Sequence, residues 1–540
     1  MPRKTTPSFT HEFRLKTQYW KTRKALKKLN ATRDLYNGCL GEGFKRLNKL
    51  RKDPRFDILV KEYQIQAKIF NPINLKIKEL KKSNLKITKE FESQYKIEKT
   101  KRDEISNKIK ELEKEYGFTQ GDLQKFSTAM KNHSYMKDHL DGNTPQIISD
   151  RAFHALDKYR YGKMGRPRFK SKEKGLKSIQ GKANTCLRFT KQGKFKWLDL
   201  EFDVIYDQND KYGVQAHALS CNVKYVRFVH KVKKGKDCFY MQLILEGIPK
   251  EKSNYVTKEG VVGLDIGVST VAAFGEDEAL LSPLCDEIEP IHQHIKQLQR
   301  QLSRKLRLNN PQNFDENNAI IKGKKEWIKS NSYLNLQCEI KEKHTKLTNK
   351  RKHSQYLLVK EVLSMGNNLH IEKNNYKAWA KGLFGKTIAH RAPSQFESIL
   401  TRKALQTGGD VKWIDSWSAK LSQYDHVSNT YVKKSLGDRI HLLGDNKTIV
   451  QRDLYSAALA YAYDFDKKLV NSTMISDDWL SFDTRLKVAL LTLREKYANS
   501  KNKGLYPSCL RDKRLLNELD RIATRSFIET NELHLQSNFV

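Results

Sequence analysis

The sequence contains no two cysteines close enough together to form a CxxC pair. The seven cysteines are Cys39, Cys186, Cys221, Cys238, Cys285, Cys338 and Cys509. This spacing excludes a cysteine zinc ribbon and gives no sign of a disulfide framework. We therefore expect reduced thiols, most of them buried, as in a cytosolic protein.

Long apolar runs are also absent. No stretch approaches the roughly 20 residues that a membrane-spanning helix needs. The basic start, MPRKTTPSF, leads into no apolar signal-peptide core. We expect no membrane partner and no secretion, but a location in the cytoplasm in association with the nucleoid, or in the nucleus if the source is eukaryotic.

Acidic residues are scarce relative to basic ones. The 540 residues include 102 Lys and Arg against 62 Asp and Glu, which gives a formal net charge of +40. Because such a surplus repels itself unless a polyanion neutralises it, we expect nucleic acid as a standing partner. The length predicts several domains, about three or four.

The first half of the chain changes its hydrophobic period twice. Ser8–Lys16 alternates like a strand, and from Trp20 a helical period runs to about Leu140. Between about 176 and 250 the period returns to two. There the stretches CLRFT and KFKWLDL flank a Gln-Gly turn, and VKYVRFVHKV is followed by CFYMQLILE, a second pair of strands. We predict a small antiparallel barrel that Ser8–Lys16 completes and into which the helices are inserted.

A basic tract, GRPRFKSKEKG, separates the helical part from the later strands. Pro167 disfavours a helix, so an extended conformation is expected. The aromatic ring of Phe169 stands among basic residues, which are Arg166, Arg168, Lys170, Lys172 and Lys174. This arrangement suits a nucleic-acid backbone with one base or sugar stacked alongside. The alternative is a basic surface loop.

The stretch VVGLDIGVSTVAAF, from Val261 to Phe274, has the pattern of two buried strands joined by a tight turn. Asp265 interrupts the first apolar run. A buried charge costs several kcal/mol unless something pairs with it, and no basic residue lies inside the motif. The partner is a bound cation or the backbone amides of the glycine turn. In the simpler alternative, Asp265 caps its own turn.

Two further carboxylates bear on the choice between these explanations for Asp265. Glu372 ends a short strand in NNLHIEKNNY, and Asp453 opens a helix in QRDLYSAALAYAY. Together with Asp265 they would repel strongly unless divalent cations lay between them. Hard oxygen ligands favour Mg²⁺ or Mn²⁺ over zinc. Two such ions, about 3.5 to 4 Å apart, activate a water and stabilise the leaving oxygen in phosphodiester cleavage. We therefore predict a nuclease.

The motifs GLDIGVST, LHIEK and QRDLYSAA, in this order, resemble the three RuvC motifs of the TnpB family of transposon-encoded, RNA-guided nucleases. Type V CRISPR effectors and Fanzor proteins are relatives of that family. The resemblance covers roughly residues 8 to 465 and implies a multidomain α+β protein. The implied parts are a barrel (wedge) strand at 1–18, a helical recognition domain at 19–140, the rest of the wedge barrel at 141–255, a split RNase H-like (RuvC) nuclease with a helical insertion at 256–420, a target-nucleic-acid-binding loop at 421–450, the third RuvC motif at 451–465 and a helical C-terminal extension at 466–540.

The same resemblance implies an activity. Members of the family cut double-stranded DNA that is selected by guide RNA pairing beside a short motif read by the protein. By this resemblance Asp265, Glu372 and Asp453 are the catalytic residues and the ligands of Mg²⁺ or Mn²⁺.

One departure from the family lies just before the third motif, where two CxxC pairs are usual. Here the loop SQYDHVSNTYVKKSLGDRIHLLGDN has no cysteine. Asp425 and Ser428, then Leu442 and Asp445, stand roughly where the sulfurs are expected. We predict a zinc-free loop held by packing and hydrogen bonds. Arg439 still matches the family pattern, which implies contact with nucleic acid near the acids; an ordinary surface charge is the alternative.

Three other functions remain open. The chain is an RNA-guided protein that binds DNA without cutting, a RuvC-like nuclease without a guide, or an actin-like ATP-dependent kinase. The kinase alternative arises because GLDIGVST also resembles the first phosphate motif of actin-like sugar kinases. That class needs a second glycine-rich phosphate loop, which we do not find, and it leaves the net charge of +40 unexplained.

Overall fold

The computed structural model describes residues 6–82, 87–162, 164–173, 175–182, 186–190, 192–233, 235–250, 257–323, 325–435, 437–498 and 507–521. The chain divides into two compact units, Met1–Lys250 and Glu251–Val540. We call them the N-terminal and the C-terminal unit. Lys174 of the basic tract lies outside the described residues.

The N-terminal unit combines helices with a β-sheet. Its strands are β1 Ser8–Lys16, β2 Ser178–Lys182, β3 Leu187–Phe189, β4 Lys194–Trp197, β5 Leu200–Ile205, β6 Val223–Lys233 and β7 Lys236–Glu246. Its helices are α1 Tyr19–Lys52, α2 Pro54–Lys82, α3 Lys89–Glu115, α4 Gln120–Asn132, α5 Thr144–Arg160 and α6 Val214–Ser220, with a 3₁₀ turn at Tyr135–Asp138.

In the described part of this unit, seven strands form one antiparallel sheet in the order β2-β6-β7-β1-β5-β4-β3. The sheet curls so that its end strands β2 and β3 lie against each other. The expectation that Ser8–Lys16 joins the later strands is confirmed, because β1 pairs with both β7 and β5. The stretch KFKWLDL is not one strand, since the chain reverses again at Leu198, whose φ is 55°.

The sheet closes around an aromatic core. Phe228 lies at its centre, with its ring stacked on Phe195 at 5.5 Å and on Phe239 at 5.1 Å, and with Trp197 at 4.9 Å. All four side chains are fully buried. The alternation along the strands therefore places large rings inside the curl, as the period of two predicts.

The helices of this unit follow the predicted periods. Helix α1 buries the leucines at 29, 35, 40 and 47, and α2 packs against α3 as a hairpin. Ile109 and Leu112 lie buried on α3, in the predicted apolar seam.

The C-terminal unit contains the three sequence motifs. Its strands are β8 Val261–Ile266, β9 Thr270–Phe274, β10 Ala279–Pro283, β11 Asn368–Glu372, β12 Val411–Ile414, β13 Tyr424–Asp425, β14 Thr430–Tyr431, β15 Ile440–Leu442, β16 Ile449–Gln451, β17 Tyr463–Asp464 and β18 Leu469–Val470. Its helices are α7 Glu289–Leu308, α8 Asn331–Met365, α9 Tyr376–Lys381, α10 Gly385–Arg391, α11 Pro393–Gln406, α12 Ser416–Ala419, α13 Arg452–Tyr461, α14 Ser472–Asp477 and α15 Trp479–Ala498, and 3₁₀ turns occupy Asp286–Ile288, Pro311–Asn313, Leu421–Gln423 and Ser508–Leu510.

In its described part, five strands form the central sheet in the order β10-β9-β8-β11-β12. Strands β8 and β9 are an antiparallel hairpin, which confirms the interpretation of VVGLDIGVSTVAAF, and β11 runs parallel to β8 and to β12. The edge strand β10 was missed, because LLSP is too short to show a period. Helix α8 begins at Asn331, where the Ser330 side chain caps it by accepting from the Tyr333 N–H.

The two faces of this sheet carry different layers. Val262, Leu264 and Ile266 point toward α8 and α11, where they share one apolar cluster. Gly263 alternates to the other face and meets α13, because its Cα lies close to the backbone of Ala457 and Tyr461. The face of β8 that carries Asp265 is therefore the face that α13 covers.

The C-terminal segment, for which the sequence suggested no chemistry, completes the core on the α13 side. Helix α15 packs on β10, and Phe482 stacks on Phe274 with ring centroids 4.8 Å apart. Leu486, Leu490 and Leu493 are buried in the same cluster.

Five of the seven cysteines are buried, as expected. Within the described ranges, no helix has the length and the apolar character that crossing a bilayer would require.

Because a Cβ at Gly263 would collide with the Ala457 carbonyl oxygen and the Tyr461 backbone nitrogen, we expect Gly263→Ala to displace α13. Overpacking of this kind costs about 1–3 kcal/mol. Thermal unfolding should show a lowered midpoint for the C-terminal unit. Gly382→Ala is the matched control, since its Cβ would make only an ordinary contact, 3.8 Å from the Trp379 carbonyl oxygen. Equal midpoints for the two variants would contradict the close packing of α13.

Candidate active site

Three separate segments bring the predicted acids to one end of the sheet. Asp265 lies near the carboxyl end of β8, and Glu372 ends the neighbouring parallel strand β11. Carboxyl ends of parallel strands meet at the same edge. Asp453 lies in the first turn of α13, which packs on β8 and contacts β11. The three acids are thus neighbours in space although 188 residues separate the first from the last in the printed numbering.

The electrostatics of the site confirm that the carboxylates interact. Burial raises the pKa of Asp265 well above its usual range, and the charges of Asp453 and Glu372 raise it further. Burial also raises the pKa of Glu372, to about 7, while a hydrogen bond from the Leu421 backbone N–H acts in the opposite direction. Both side chains keep partial access to solvent. The charges of Arg452 and Arg439 act in the opposite direction on the pKa of Asp265 but do not cancel these effects.

Asp453 has partners of its own. Its carboxylate accepts a hydrogen bond from the Thr270 hydroxyl at 3.2 Å and lies 3.3 Å from Arg452 Nη2 and 3.8 Å from Arg439 Nη1. The first turn of a helix also favours a negative charge, because its free N–H groups point toward it. The structure thus places Arg439 beside one of the acids, where sequence analysis expected it.

The chemistry of the donor set fits a hard divalent cation, because three carboxylates that repel one another gain most from a shared positive ion. The three carboxylates do not, however, converge on one shared position. In the described part of the chain, no three or more His, Cys, Asp or Glu side chains are grouped so that they could hold a metal ion. Asp453 is held by Thr270 and two arginines instead.

Sequence analysis missed three residues of this site. Thr270 and Arg452 contact Asp453, and the Leu421 N–H bonds to Glu372. Arg452 immediately precedes Asp453, and Thr270 follows the glycine turn of the first motif, so both lie inside recognised motifs. Nothing in the sequence distinguishes Leu421, because its contribution is a backbone N–H.

The cysteine-free loop consists of two small hairpins, β13-β14 and β15-β16. The buried Asp425 closes the turn of the first, because its Oδ1 accepts from the backbone N–H groups of Val427 and Ser428 at 2.9 and 3.1 Å. Asp445 closes the second turn in the same way, through Lys447 and Thr448 at 2.9 Å each. Hydrogen bonds thus hold both turns. The absence of zinc stays a prediction.

A buried imidazole joins the two hairpins. His441 on β15 lies 3.3 Å from Asp425 Oδ2 through its Nε2, and its Nδ1 faces Lys434 Nζ. Because an ammonium group only donates, Nδ1 accepts and Nε2 carries the proton toward Asp425. Burial, with the charge of Lys434, lowers the pKa of His441 to about 4. Burial likewise lowers the pKa of Lys434 to about 8.

The remaining residues of this loop differ in role. The Tyr455 hydroxyl bonds to the backbone N–H of His426 at 3.0 Å and to its ring Nδ1 at 2.7 Å, which ties the first hairpin to α13. Leu442 is half exposed. The Arg439 carbonyl accepts from the Arg452 N–H at 3.0 Å, which fixes β15 beside Asp453.

The basic tract lies in the N-terminal unit and is not helical: residues 165–171 have no regular secondary structure, and a turn follows at Lys172 and Glu173. Asn37 of α1 clamps its backbone, because it donates to the Lys170 carbonyl and accepts from the Lys170 N–H, at 2.9 and 2.8 Å. The Arg166 guanidinium lies 4.8 Å from the Phe44 ring. Phe169 is 56% exposed, and Arg168 and Lys172 are exposed. An exposed ring among cations is available for stacking; contact with nucleic acid stays a prediction.

We expect His441→Gln to destabilise the loop in a pH-dependent way. A histidine whose folded-state pKa lies below 6.5 supports stability above pH 6.5 and loses that contribution as the pH falls toward 4. Near neutral pH the variant should unfold at a lower temperature than the wild type, which corresponds to a loss of unfolding free energy on the order of 1–3 kcal/mol. The two midpoints should converge in acid. His294→Gln, at an exposed histidine of α7, should leave the midpoint almost unchanged. A difference that is independent of pH would show that His441 contributes by packing alone.

Comparisons with known proteins complete this description. No family model matches the sequence, and no curated protein matches it. A cryo-EM structure of a Cas12f1–sgRNA–target DNA complex is similar over 84% of this chain and 98% of that chain, with 12% sequence identity and a TM-score of 0.39. A cryo-EM structure of a CRISPR-Cas12f ternary complex is also similar over 84% of this chain and 98% of that chain, with 10% sequence identity and a TM-score of 0.23. Both TM-scores lie below 0.5.

Proposed function

We propose that the chain is an RNA-guided DNA endonuclease that depends on Mg²⁺ or Mn²⁺ and cuts by a RuvC-type reaction. The observation that carries this proposal is the meeting of Asp265, Glu372 and Asp453 at one sheet edge, where their charges raise the pKa of Asp265. A structural acid gains neutralising partners when it is buried, whereas Asp265 gains two like charges. In a chain of net charge +40, phosphodiester chemistry accounts for both features.

The sheet supports the RuvC assignment. Three antiparallel strands, β10, β9 and β8, are continued by the parallel strands β11 and β12. Asp265 lies on β8, Glu372 ends the strand that runs parallel to β8, and Asp453 lies in the first turn of the later helix α13.

The proposed division of roles follows from the contacts. Asp265, Glu372 and Asp453 would hold the divalent ions, which supply an activated water and stabilise the leaving oxygen when they are bound. The Thr270 hydroxyl orients the Asp453 carboxylate. Arg439 and Arg452, which now neutralise Asp453, are free to bind a phosphate oxygen when a cation takes over that carboxylate.

Two features support a guide RNA and a DNA target as partners. The net charge of +40 favours a polyanion as partner. The tract with Arg166, Arg168, Phe169, Lys170 and Lys172 offers phosphate and stacking contacts that belong to the N-terminal unit, not to the acids. We assign these residues to holding nucleic acid and the three acids to cutting it.

Asp265→Ala separates the two roles. We expect target cleavage in Mg²⁺ to fall about a thousandfold or more, because metal-assisted catalysis supplies several kcal/mol. RNA binding should change less than about twofold, since phosphate contacts, not this acid, supply its affinity. The variant should melt at the same temperature or higher without metal, because a buried like-charge repulsion is removed. Measurements are cleavage of a labelled target, RNA binding by filter retention, and thermal unfolding.

The matched control is Asp277→Ala, at an exposed acid of the same unit. It should cleave like the wild type. Cleavage that survives Asp265→Ala would overturn the assignment of the acids, and loss of RNA binding with a lowered midpoint would show that Asp265 is structural.

The RNA that copurifies with the full chain tests guiding. We expect sequencing to recover one abundant, discrete RNA, and cleavage of a DNA whose sequence is complementary to it. Random RNA fragments would favour a nuclease without a guide. Tight target binding without cleavage in Mg²⁺ would favour a binding protein, and ATP hydrolysis without affinity for RNA would favour the kinase.

A further inference from the structure

The most exposed aromatic side chain in the described part of the chain is Trp417, at 85% relative accessibility. It lies on the one-turn helix α12, directly after β12. Trp413, on β12 itself, is 44% exposed. An indole left in water on an ordered segment loses the apolar contacts that burial would provide, and this side chain is typical of contact sites with flat partners.

The position of α12 is fixed relative to Glu372. Ile414, which precedes α12, pairs with Glu372 across the sheet, and the Lys373 N–H donates to its carbonyl at 2.9 Å. The Ser416 hydroxyl donates to the Lys373 carbonyl at 3.1 Å. At the other end of the segment, the backbone N–H of Leu421 lies near enough to Glu372 to lower the pKa of that carboxyl. The segment that presents Trp417 is therefore held beside the end of β11, through Ile414 and Ser416.

The charges around this ring favour a polyanion. Lys373, whose carbonyl accepts from the Ser416 hydroxyl, and Lys420, which follows Trp417 by three positions, are both exposed. The acid in the segment, Asp415, is also exposed, and its carboxylate accepts from the Ser418 hydroxyl at 3.1 Å. A flat aromatic face beside two cations suits a base with its phosphates. Because bases in a duplex are already stacked on each other, an isolated ring of this kind stacks on an unpaired base.

We propose that Trp417 is a stacking platform for an unpaired base of the single nucleic-acid strand that enters the site at Glu372. The platform extends the proposed function and rests on it, because the proposed function identifies the strand. The platform positions the strand; it does not take part in bond breaking. Lys373 and Lys420 contact the flanking phosphates.

The test is direct observation of stacking. The full chain, with its copurifying RNA, is mixed with single-stranded DNA oligonucleotides that carry 2-aminopurine at successive positions, in EDTA so that no cutting occurs. Stacking quenches the fluorescence of this base. We expect one position or two adjacent positions to be quenched by the wild type, not by Trp417→Ala, and again by Trp417→Phe. Affinity for the oligonucleotide should fall about fivefold or more in Trp417→Ala.

Leu480→Ala is the matched control, since Leu480 is 82% exposed in the same unit and should leave the quenching unchanged. If no position depends on Trp417, or if Leu480→Ala has the same effect, the platform is wrong. A lowered unfolding midpoint for Trp417→Phe with lost quenching would assign the ring a structural role and overturn the proposal as well.

The two proposals fail separately. Quenching that depends on Trp417 in a protein that cuts no DNA would leave the platform standing and remove the endonuclease. Cleavage that depends on Asp265, with quenching and substrate KM unchanged in Trp417→Ala, would support the endonuclease and overturn the platform.

Discussion

The candidate site depends on the close approach of α13 to β8 at Gly263. Without a side chain at this position, the backbone of the helix at Ala457 and Tyr461 lies directly on the strand. The small residues along α13 also allow this close approach, since Ala457, Ala458 and Ala460 are fully or almost fully buried. This packing sets the height of the first turn of α13 above the sheet edge and so the distance of Asp453 from the acids on β8 and β11.

The C-terminal unit contains two kinds of buried carboxylate, and their surroundings distinguish them. Asp425 is compensated by the N–H groups of Val427 and Ser428 and by His441, so its charge is satisfied within the loop. Asp265 has a different environment, because the charges of Asp453 and Glu372 add to the effect of burial on its pKa and outweigh the opposing charges of Arg452 and Arg439. The first arrangement stabilises a loop. The second is unfavourable unless a cation is supplied, which is the physical reason to assign it a function.

Much of the architecture could be predicted because its signals are local. The alternation in VVGLDIGVSTVAAF marks two strands, and the strand ending at Glu372 and the helix opening at Asp453 were both recognised from short patterns. The pairing of Ser8–Lys16 with strands more than 180 residues away followed from its isolation among helices. The three acids could be named because a carboxylate recurred inside or at one end of an apolar element.

What could not be predicted depends on contacts between distant segments. The neutral His441 between Lys434 and Asp425 arises only when two hairpins meet, and each residue by itself is ordinary in a loop. The Leu421 N–H that bonds to Glu372 leaves no trace in the sequence, because every residue except proline has that group. The packing of Phe482 on Phe274 joins a segment without a motif to the first motif. Sequence patterns identify which elements form; the compensation of buried charge is decided by which elements meet.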